Sequence, residues 1–477
     1  MAKDKIAYVC ENCGQEAAKW IGKCPSCNQW NTFREIRIAA GSGQQSAREA
    51  AREVSAVRRA GAVGDSVRGA HHSAIRGNAQ RLKDIPTKAE PRMDMNDSEL
   101  NRVLGGGMVP GSIVLLGGDP GIGKSTLTLQ TIMRLQDKEV LYVSGEESAH
   151  QLRMRADRIE GGINDKVMIL CETSVEKIFD QIRSCTPDLV IIDSIQTMET
   201  ETVDSAPGSI TQIRECASAL LRFAKASGVP VILIGHITKE GSIAGPKILE
   251  HIVDAVIQFE GDRQGIYRIL RSIKNRFGST SELGIYEMLQ NGLRPVSNPS
   301  ELLLSDDREG MSGIAISSAV EGMRPFLVET QALVSSAAYG TPQRSATGFD
   351  QRRLNMLLAV LEKRVGFKLM QKDVFLNIAG GLKVTDMAMD LSVIAAVISS
   401  NLDMPIEEGW CLCGEVGLSG EVRPVSRIEQ RIQETEKLGF TDIIIPKRNI
   451  NALNGKRFNI NIHPARKVEE AVRELFG

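Results

Sequence analysis

The sequence predicts an α/β chain of several domains, and three features of its 477 residues carry that prediction. Four cysteines lie close together near the N-terminus. Between residues 91 and 296, short runs rich in Val, Ile and Leu alternate with helical segments, as in a parallel sheet covered by helices. Residues 309–477 show a second mixed α/β pattern. We therefore expect a cysteine module at 1–34, a flexible linker at 35–90 and two larger domains.

Composition excludes several classes of protein. The formal net charge is −1, so no general basic field indicates nucleic acid, and any such contact must come from local patches. The first residues, MAKDKIAYVC, lack the apolar core of a secretory signal, and no apolar run is long enough to span a membrane. Nine cysteines without an export signal indicate a reducing environment rather than a disulfide framework. We expect a cytoplasmic protein with no membrane partner.

The cysteine cluster CENCGQEAAKWIGKCPSC contains two C-x2-C pairs. Each pair allows a tight turn to present two thiolates to one ion, and four thiolates complete the tetrahedron of a structural Zn²⁺. A redox pair or an iron–sulfur site is the alternative. Since all four positions are protein ligands, the zinc would build a binding module and would not catalyse. We expect Trp20, Trp30 and Phe33 to supply the apolar contacts. The predicted zinc ligands are Cys10, Cys13, Cys24 and Cys27.

The linker is rich in Ala, Gly, Ser and Arg and has almost no large apolar residues. It cannot bury enough surface to offset the entropy of ordering, so we expect at most one marginal helix, near 47–59. The five other cysteines are scattered, and we expect them to be small, buried apolar residues. They are Cys171, Cys185, Cys216, Cys411 and Cys413.

The domain at 91–296 contains GDPGIGKST at residues 118–126, which fits the phosphate-loop pattern G-x-x-x-x-G-K-[ST] between a strand and a helix. Backbone N–H groups would cradle the phosphates of ATP at the helix N-terminus. Lys124 would reach the β- and γ-phosphates, Ser125 would bind Mg²⁺, and Thr126 would support the α-phosphate. The predicted nucleotide-binding residues of this loop are Gly118, Asp119, Pro120, Gly121, Ile122, Gly123, Lys124, Ser125 and Thr126.

Polar residues follow three other predicted strands of this domain. LVIID ends at Asp193, where a second carboxylate completes the Mg²⁺ shell. VLYVSGEES ends in Glu146 and Glu147, and Glu146 could activate the attacking water or merely stabilise a helix start. VILIGH ends at His236, which could sense the γ-phosphate or be a structural histidine. For Glu146, the neighbouring strand ends favour the catalytic interpretation.

This order of phosphate loop, glutamate, aspartate and histidine resembles the core of RecA-type ATPases. The resemblance implies that KEGSIAGPKILEHIVD takes the place of a DNA-contacting loop, with Lys239 and Lys247 as its cations. The region of Gly208 and Ser209 takes the place of a second such loop. In that family nucleotide lies between subunits of a ring or filament, and the neighbouring subunit supplies cations to it.

The run KNRFG, at residues 274–278, is similar to a signature of the RadA (Sms) DNA-repair family. That family has a zinc module, a RecA-like core and a Lon-protease-like C-terminal domain, in the order seen here; residues 35–80 depart from its architecture. By position, Lys274 and Arg276 match the cations supplied in trans, where they would stabilise transition-state charge. They could instead contact DNA or form an ordinary basic strand end.

The C-terminal domain resembles Lon-type proteases but lacks their Ser–Lys dyad. The matching runs, DMAMDLSVIAAVISS and VRPVSRIEQR, place Ala388 at the serine position and Glu429 at the lysine position. Without a hydroxyl and an amine there is no activated nucleophile, so we expect a non-proteolytic scaffold that drives ring assembly. Four basic residues of this domain could contact DNA: Arg427, Arg431, Lys447 and Arg448.

The RadA resemblance implies a DNA-dependent ATPase of recombinational repair that uses ATP, Mg²⁺ and Zn²⁺. It would bind single-stranded and branched DNA and drive branch migration by helicase-like translocation. It would act as a homo-oligomeric ring, such as a hexamer, beside a RecA-type recombinase. An ATP-gated DNA-binding adaptor without motor activity is the alternative. Glu146, Lys274 and Arg276 discriminate between the two functions, because a simple switch has less need of these residues. The missing dyad argues against a third class, an ATP-dependent protease.

Overall fold

The computed structural model describes residues 5–10, 15–17, 19–25, 28–38, 49, 52, 81, 91–236, 246–261, 267–305, 308, 310–337, 342–381, 384–453 and 455–477. The described residues up to Pro295 form one compact unit, and those from Val296 onward form a second. Among these residues, no helix is long and apolar enough to cross a membrane.

A three-stranded antiparallel sheet builds the N-terminal module. Its strands are β1 (Lys5–Cys10), β2 (Glu16–Ala17) and β3 (Phe33–Ile38), in the order β2–β1–β3. Cys10 pairs with Phe33 across the sheet, and both lie in a small buried cluster with Cys24. Strand β3 passes the expected end of the module at residue 34. Of the predicted linker and its marginal helix, little lies within the described residues.

A nine-stranded sheet forms the centre of the first unit. Strands β6, β5, β7, β8, β4 and β9 run parallel in that spatial order, and β10, β11 and β12 continue antiparallel from β9. Strands β4, β5 and β7 are fully buried, as their continuous apolar runs predict. The strands are β4 (Ile113–Gly118), β5 (Val140–Ser144), β6 (Val167–Cys171), β7 (Leu189–Asp193), β8 (Val231–His236), β9 (Ala255–Gly261), β10 (Tyr267–Asn275), β11 (Leu283–Leu289) and β12 (Gly292–Pro295).

Helices cover both faces of this sheet. They are α1 (Ser98–Leu104), α2 (Lys124–Arg134), α3 (Ala149–Ala156), α4 (Val175–Cys185), α5 (Ile210–Ser227) and α6 (Pro246–Ile252). Side chains alternate along β4, so Ile113 and Leu115 join the core under α4 and α5, whereas Val114 and Leu116 join the core under α1 and α2. The phosphate loop connects β4 to α2 at the carboxyl edge of the sheet, where such folds bind their ligands.

The second unit is a mixed sheet with the order β15–β16–β14–β13–β17–β20–β21. Its strands are β13 (Ile314–Glu321), β14 (Arg324–Ser336), β15 (Arg344–Thr347), β16 (Lys372–Ile378), β17 (Trp410–Leu412), β20 (Asp442–Pro446) and β21 (Asn461–Ala465), and β18 (Glu415–Val416) pairs separately with β19 (Val422–Arg423). Its helices are α7 (Pro299–Leu303), α8 (Gln351–Val360), α9 (Asp390–Leu402), α10 (Ile428–Lys437) and α11 (Val468–Phe476).

The scattered cysteines follow the position of their strands and helices. Cys216, Cys411 and Cys413 are buried, and Cys185 is half-buried. Cys171 is exposed, so the prediction that all five are buried is wrong for this residue. It ends β6, the edge strand of the nine-stranded sheet, whose side chains are only partly covered.

Candidate nucleotide site

The phosphate loop has a backbone conformation that only its glycines adopt without strain. Gly121 and Gly123 have φ angles of 76° and 110°, in the left-handed region that other residues rarely adopt. A Cβ at Gly118 would lie 2.5 Å from the carbonyl oxygen of Phe259, so the loop can approach β9 closely only with glycine there. Gly123 is the N-cap of α2, whose first N–H groups have no partner within the helix. These groups make the loop an anion site.

Lys124 is almost fully buried at the start of α2. Its ammonium donates to the carbonyl oxygens of Gly118 and Asp119, both at 2.9 Å, and to Nδ1 of His236 at 3.2 Å. Burial lowers the pKa of Lys124, and nearby carboxylates, Asp193 foremost, oppose this shift. The loop and the end of β8 thus hold the ammonium beside the anion site.

A chain of hydrogen bonds continues from Lys124 to the predicted base. Because the ammonium donates to Nδ1 of His236, a neutral imidazole carries its proton on Nε2, which lies 3.2 Å from Oε1 of Glu146. The same oxygen accepts a hydrogen bond from Oγ of Ser194 at 2.5 Å. The side chain of Glu146 is nevertheless 41% exposed. Two donors therefore orient a carboxylate that water can still reach, which is the arrangement a general base requires.

Asp193 ends β7 as predicted, but its carboxylate is enclosed. The Tyr142 hydroxyl donates a short hydrogen bond to Oδ2 of Asp193. Burial and the adjacent carboxylate raise the pKa of Tyr142 well above its usual range, so this hydroxyl stays a donor. Ser125, by contrast, lines the open cleft above the loop. A hydroxyl and a fixed carboxylate are hard oxygen donors that fit Mg²⁺, and Ser125 and Asp193 are the residues that would hold it.

A cleft of about 460 Å³ opens above the phosphate loop, within the roughly 300–1,000 Å³ typical of ligand sites. Glu146 and His236 line it beside the loop. Its other lining residues include Arg155, Arg158 and the turn at 289–292, which sequence reasoning missed. In the sequence, the arginines have the pattern of an ordinary charged helix surface, and residues 289–292 have the pattern of an ordinary hairpin turn. Only the folded sheet brings them to the loop.

The residues of the KNRFG run form hydrogen bonds and an ion pair with several segments of their own unit. The register between β9 and β10 shifts between Ser272 and Lys274, a bulge that leaves Ile273 43% exposed. The Lys274 ammonium donates to the carbonyl oxygens of Val253, at 2.8 Å, and Glu250 at the C-terminal end of α6. A cation there satisfies unpaired carbonyls and favours the helix dipole. Burial, assisted by Arg276, lowers the pKa of Lys274.

Arg276 connects the same run to the phosphate-loop strand through Asp254. Arg276 donates to Oδ1 of Asp254 at 3.3 Å, while Lys225 and the backbone N–H of Ile113 donate to Oδ2 at 2.7 and 3.1 Å. Asp254 is buried, so these donors compensate the cost of enclosing its charge. Ile113 is the first residue of β4. Acceptors of the protein itself thus hold both cations of the run, although the Arg276 side chain is 54% exposed.

The remaining members of KNRFG hold the chain near α1. Asn275 donates to the carbonyl oxygen of Val103 at 3.3 Å, and the carbonyl oxygen of Phe277 accepts from Arg92 at 2.6 Å. A Cβ on Gly278 would lie 3.2 Å from Cα of Gly105. The KNRFG run thus contacts α6 through Lys274 and α1 through Asn275.

Two of the four predicted zinc ligands are among the described residues. Cys10 and Cys24 are fully buried in one cluster. The N–H of Cys10 donates to the carbonyl oxygen of Gln15 and that of Cys24 to Gln29, both at 2.9 Å, so both pairs begin the same kind of tight turn. Buried thiols in matching turns fit a zinc ion. Cys13 and Cys27 lie outside the described residues, within which no three potential metal ligands come together.

The two tryptophans of this module do not pack as predicted. Trp20 and Trp30 are 54% and 67% exposed, whereas Phe33 is buried. The small core is filled by Phe33 and the two cysteines, with Tyr8 and Ala17 packed against them. The prediction that both tryptophans supply core contacts is therefore wrong.

The predicted DNA contacts of the first unit fall largely outside the described residues. Lys239 lies outside them, and the backbone of Lys247 belongs to α6 while its side chain is not described. In the second predicted loop, Gly208 has a φ of 77° and Ser209 caps α5 by accepting from the N–H of Gln212. Contacts of these residues with DNA remain predictions.

The dyad positions of the second unit carry no peptidase chemistry. Ala388 is buried in a short turn before α9. Glu429 lies in the first turn of α10 and forms an ion pair with Lys456. A methyl group and a paired carboxylate thus occupy the two positions.

The prediction that Arg431 could contact DNA is wrong. The residue is 1% exposed and forms an ion pair with Asp386 at 2.7 Å. It also donates to the carbonyl oxygens of Ser318 and Ser426. Amphipathic α10 turns this position toward the sheet, where the long side chain connects three segments.

Three family models match separate parts of the chain. Residues 8–35 match a rubredoxin metal binding domain, residues 79–242 an AAA domain, and residues 331–449 the subunit ChlI of Mg-chelatase. These matches and the two mixed sheets confirm the predicted fold class: a zinc module, a RecA-like P-loop core and a Lon-protease-like C-terminal α/β domain.

Relatives match over the full length. The DNA repair protein RadA of Bacillus subtilis is 47% identical over 480 residues, which covers all of both chains. That of Listeria monocytogenes is 48% identical over 450 residues, covering 94% of this chain and 93% of its own. A KaiC-like protein from Pyrococcus horikoshii is 24% identical over 44% of this chain and 100% of its own, with a TM-score of 0.37. The identity and coverage of the first two relatives show that the chain belongs to the RadA family of DNA repair proteins.

Proposed function

We propose that this chain hydrolyses ATP in the cleft above the phosphate loop and that single-stranded DNA stimulates this hydrolysis to drive branch migration during recombinational repair. The observation that carries the proposal is the hydrogen-bonded chain from Lys124 through His236 to Glu146. It joins a phosphate-binding cation to a water-accessible carboxylate at the edge of one sheet. A protein that only binds nucleotide has no need of an oriented base.

Each residue of the site has a distinct role in this proposal. Lys124 and the loop N–H groups hold the phosphates, and Ser125 and Asp193 hold Mg²⁺, which neutralises charge on the phosphates. Glu146, oriented by Ser194 and His236, accepts a proton from the attacking water. Loss of the γ-phosphate would change the contacts of His236 and Lys124 together, because the two share a hydrogen bond.

Lys274 and Arg276 are proposed to connect the nucleotide site with DNA. Lys274 caps α6, and the run before α6 holds the predicted DNA contact Lys239. A change in α6 therefore alters the environment of Lys274, and the reverse also holds. In a ring, the same cations would act on the nucleotide of the neighbouring subunit, and this requires Lys274 to exchange its carbonyl partners for phosphate oxygen atoms.

The test compares wild type with Lys274→Ala, with and without single-stranded DNA. We expect strong DNA stimulation of hydrolysis by the wild type and its loss in the variant, while ATP binding is kept. Lys177→Ala, at a side chain that is 68% exposed, is the matched control and should behave as wild type. Hydrolysis that is indifferent to both DNA and Lys274→Ala would favour the alternative, an ATP-gated adaptor.

A further inference from the structure

We propose that Trp20 and Trp30, which we call the tryptophan pair, form a stacking surface for the unpaired bases of single-stranded DNA. The inference rests on the proposed function only for the identity of the ligand. It adds a contact in the N-terminal module, far in sequence from the predicted DNA contacts Lys239 and Lys247.

The two rings lie against the same small residue. A Cβ on Gly22 would lie 3.6 Å from Cη2 of Trp20 and 3.8 Å from Cζ3 of Trp30. Lys23 pairs with Trp30 in an isolated antiparallel bridge, and the N–H of Asn31 donates to the carbonyl oxygen of Gly22 at 2.7 Å. Backbone pairing therefore fixes the position of Trp30 beside Gly22, and the Trp20 ring lies against the same glycine.

The described residues of the module do not explain this exposure. Phe33, Cys10 and Cys24 already form the buried cluster, and the two largest side chains of the module remain outside it. A tryptophan can bury roughly 150–250 Å² of surface, so leaving two of them in water forgoes a large hydrophobic gain. Two adjacent exposed tryptophans form an apolar patch, and such patches are typical of interaction sites.

Charge indicates nucleic acid as the partner. From residue 19 to residue 34 the sequence contains the cations Lys19, Lys23 and Arg34, and the nearest carboxylates along the chain are Glu16 and Glu35. The Lys23 ammonium lies 5.6 Å from the centre of the Trp30 ring. A ring beside a cation suits a ligand that alternates flat bases with phosphates, and base–aromatic stacking tolerates any sequence. The neighbouring exposed side chains of Asn28 and Gln29 make the surroundings polar, which is less suited to an apolar protein partner.

The chain itself provides the probe, because it has three tryptophans. The third, Trp410, stacks on His463 in the second unit, with ring centres 4.6 Å apart. In a zinc-loaded full-length Trp410→Phe protein, fluorescence therefore reports on the tryptophan pair. We expect oligo(dT) to quench this fluorescence. We expect Trp20→Ala and Trp30→Ala each to weaken oligo(dT) binding by at least about fivefold, as loss of one stacked base would.

Trp20→Phe and Trp30→Phe are the matched controls, since they keep a flat ring and should retain most of the affinity. Unchanged zinc content and unchanged DNA-free ATP hydrolysis in all variants would show that the module and the nucleotide site are intact. Unquenched fluorescence with unchanged affinity of the alanine variants would overturn the stacking surface and leave the proposed function standing. Loss of binding to a RecA-type recombinase, with DNA affinity unchanged, would assign the pair to a protein partner and also overturn it. A wild type that binds no DNA would overturn both proposals.

Discussion

The Glu146–His236 pair of the first unit and the Arg431 and Asp390 clusters of the second differ in their exposure to solvent. In the first, Glu146 and His236 remain 41% and 33% exposed at strand ends beside the phosphate loop, although they contact each other. In the second, Arg431 and Asp390 are almost completely buried and saturated by protein partners. Both units are sheets covered by helices, so architecture does not separate them. Chemistry resides where polar groups converge on a surface that water and ligand can reach.

Asp390 is a charged group that the second unit encloses completely. Burial raises the pKa of its carboxyl group, and hydrogen bonds from Arg353 and the N–H of Val416 oppose that shift. The pair connects α8, α9 and β18. Such a cluster stabilises a fold but offers no group to a substrate.

Lys124→Ala should have the largest effect on the first unit. We expect ATP hydrolysis to fall by about 1,000-fold or more, because removing one charge-stabilising donor alone costs about 100- to 1,000-fold and Lys124 also fixes His236. The measurement is phosphate release at saturating ATP. Lys138→Ala, a half-exposed lysine paired with Asp137, is the control and should stay within about twofold of wild type. DNA-stimulated hydrolysis retained in Lys124→Ala would refute the phosphate-loop assignment.

Arg431→Met should break the second unit by a different route. The substitution leaves the Asp386 carboxylate without its buried partner, so the free energy of unfolding should fall by about 3–5 kcal/mol. Trp410 fluorescence during urea unfolding measures this in a background where Trp20 and Trp30 are replaced by Phe. Lys456→Met breaks the ion pair with Glu429, which is more exposed than the Arg431–Asp386 pair. This substitution should lower the free energy of unfolding by less than about 1 kcal/mol. Equal losses in the two variants would contradict the structural role of Arg431.

The smallest expected signal is peptidase activity. We expect no ATP-dependent cleavage of casein, because Ala388 and Glu429 supply neither a hydroxyl nucleophile nor an amine base. Ser392, a serine four residues after Ala388, is buried and donates to the carbonyl oxygen of Met389 at 2.8 Å. Cleavage by the wild type that disappears in Ser392→Ala would show that the second unit retains a catalytic serine.

Sequence patterns predicted the elements whose signal is local. The phosphate loop needs a fixed spacing of glycines and a lysine, and Glu146, Asp193 and His236 each follow a recognisable apolar strand. Their convergence follows from the rule that parallel strands share one carboxyl edge. The fold class could be predicted for the same reason.

Residues whose role depends on tertiary packing could not be predicted. Ser194 and Tyr142 act through strands that become neighbours only in the sheet. Arg431 looks like a surface cation because arginine usually is one, and only the packing of α10 shows otherwise. The exposure of Trp20 and Trp30 reverses the usual expectation for tryptophan in a small module. When a residue departs from the burial expected for its type, as these do, it either connects several segments of the fold or belongs to a binding surface.

Substitution of the two adjacent strand-end carboxylates tests the central claim most directly. Glu146 contacts Ser194 and His236, whereas Glu147 forms an ion pair with Arg155 at 2.7 Å. If Glu146 is the base, Glu146→Gln should keep ATP affinity within about threefold and lower hydrolysis by about 100-fold or more, whereas Glu147→Gln should keep hydrolysis within about tenfold of wild type. Equal hydrolysis by Glu146→Gln and wild type, or a larger loss in Glu147→Gln, would contradict the account.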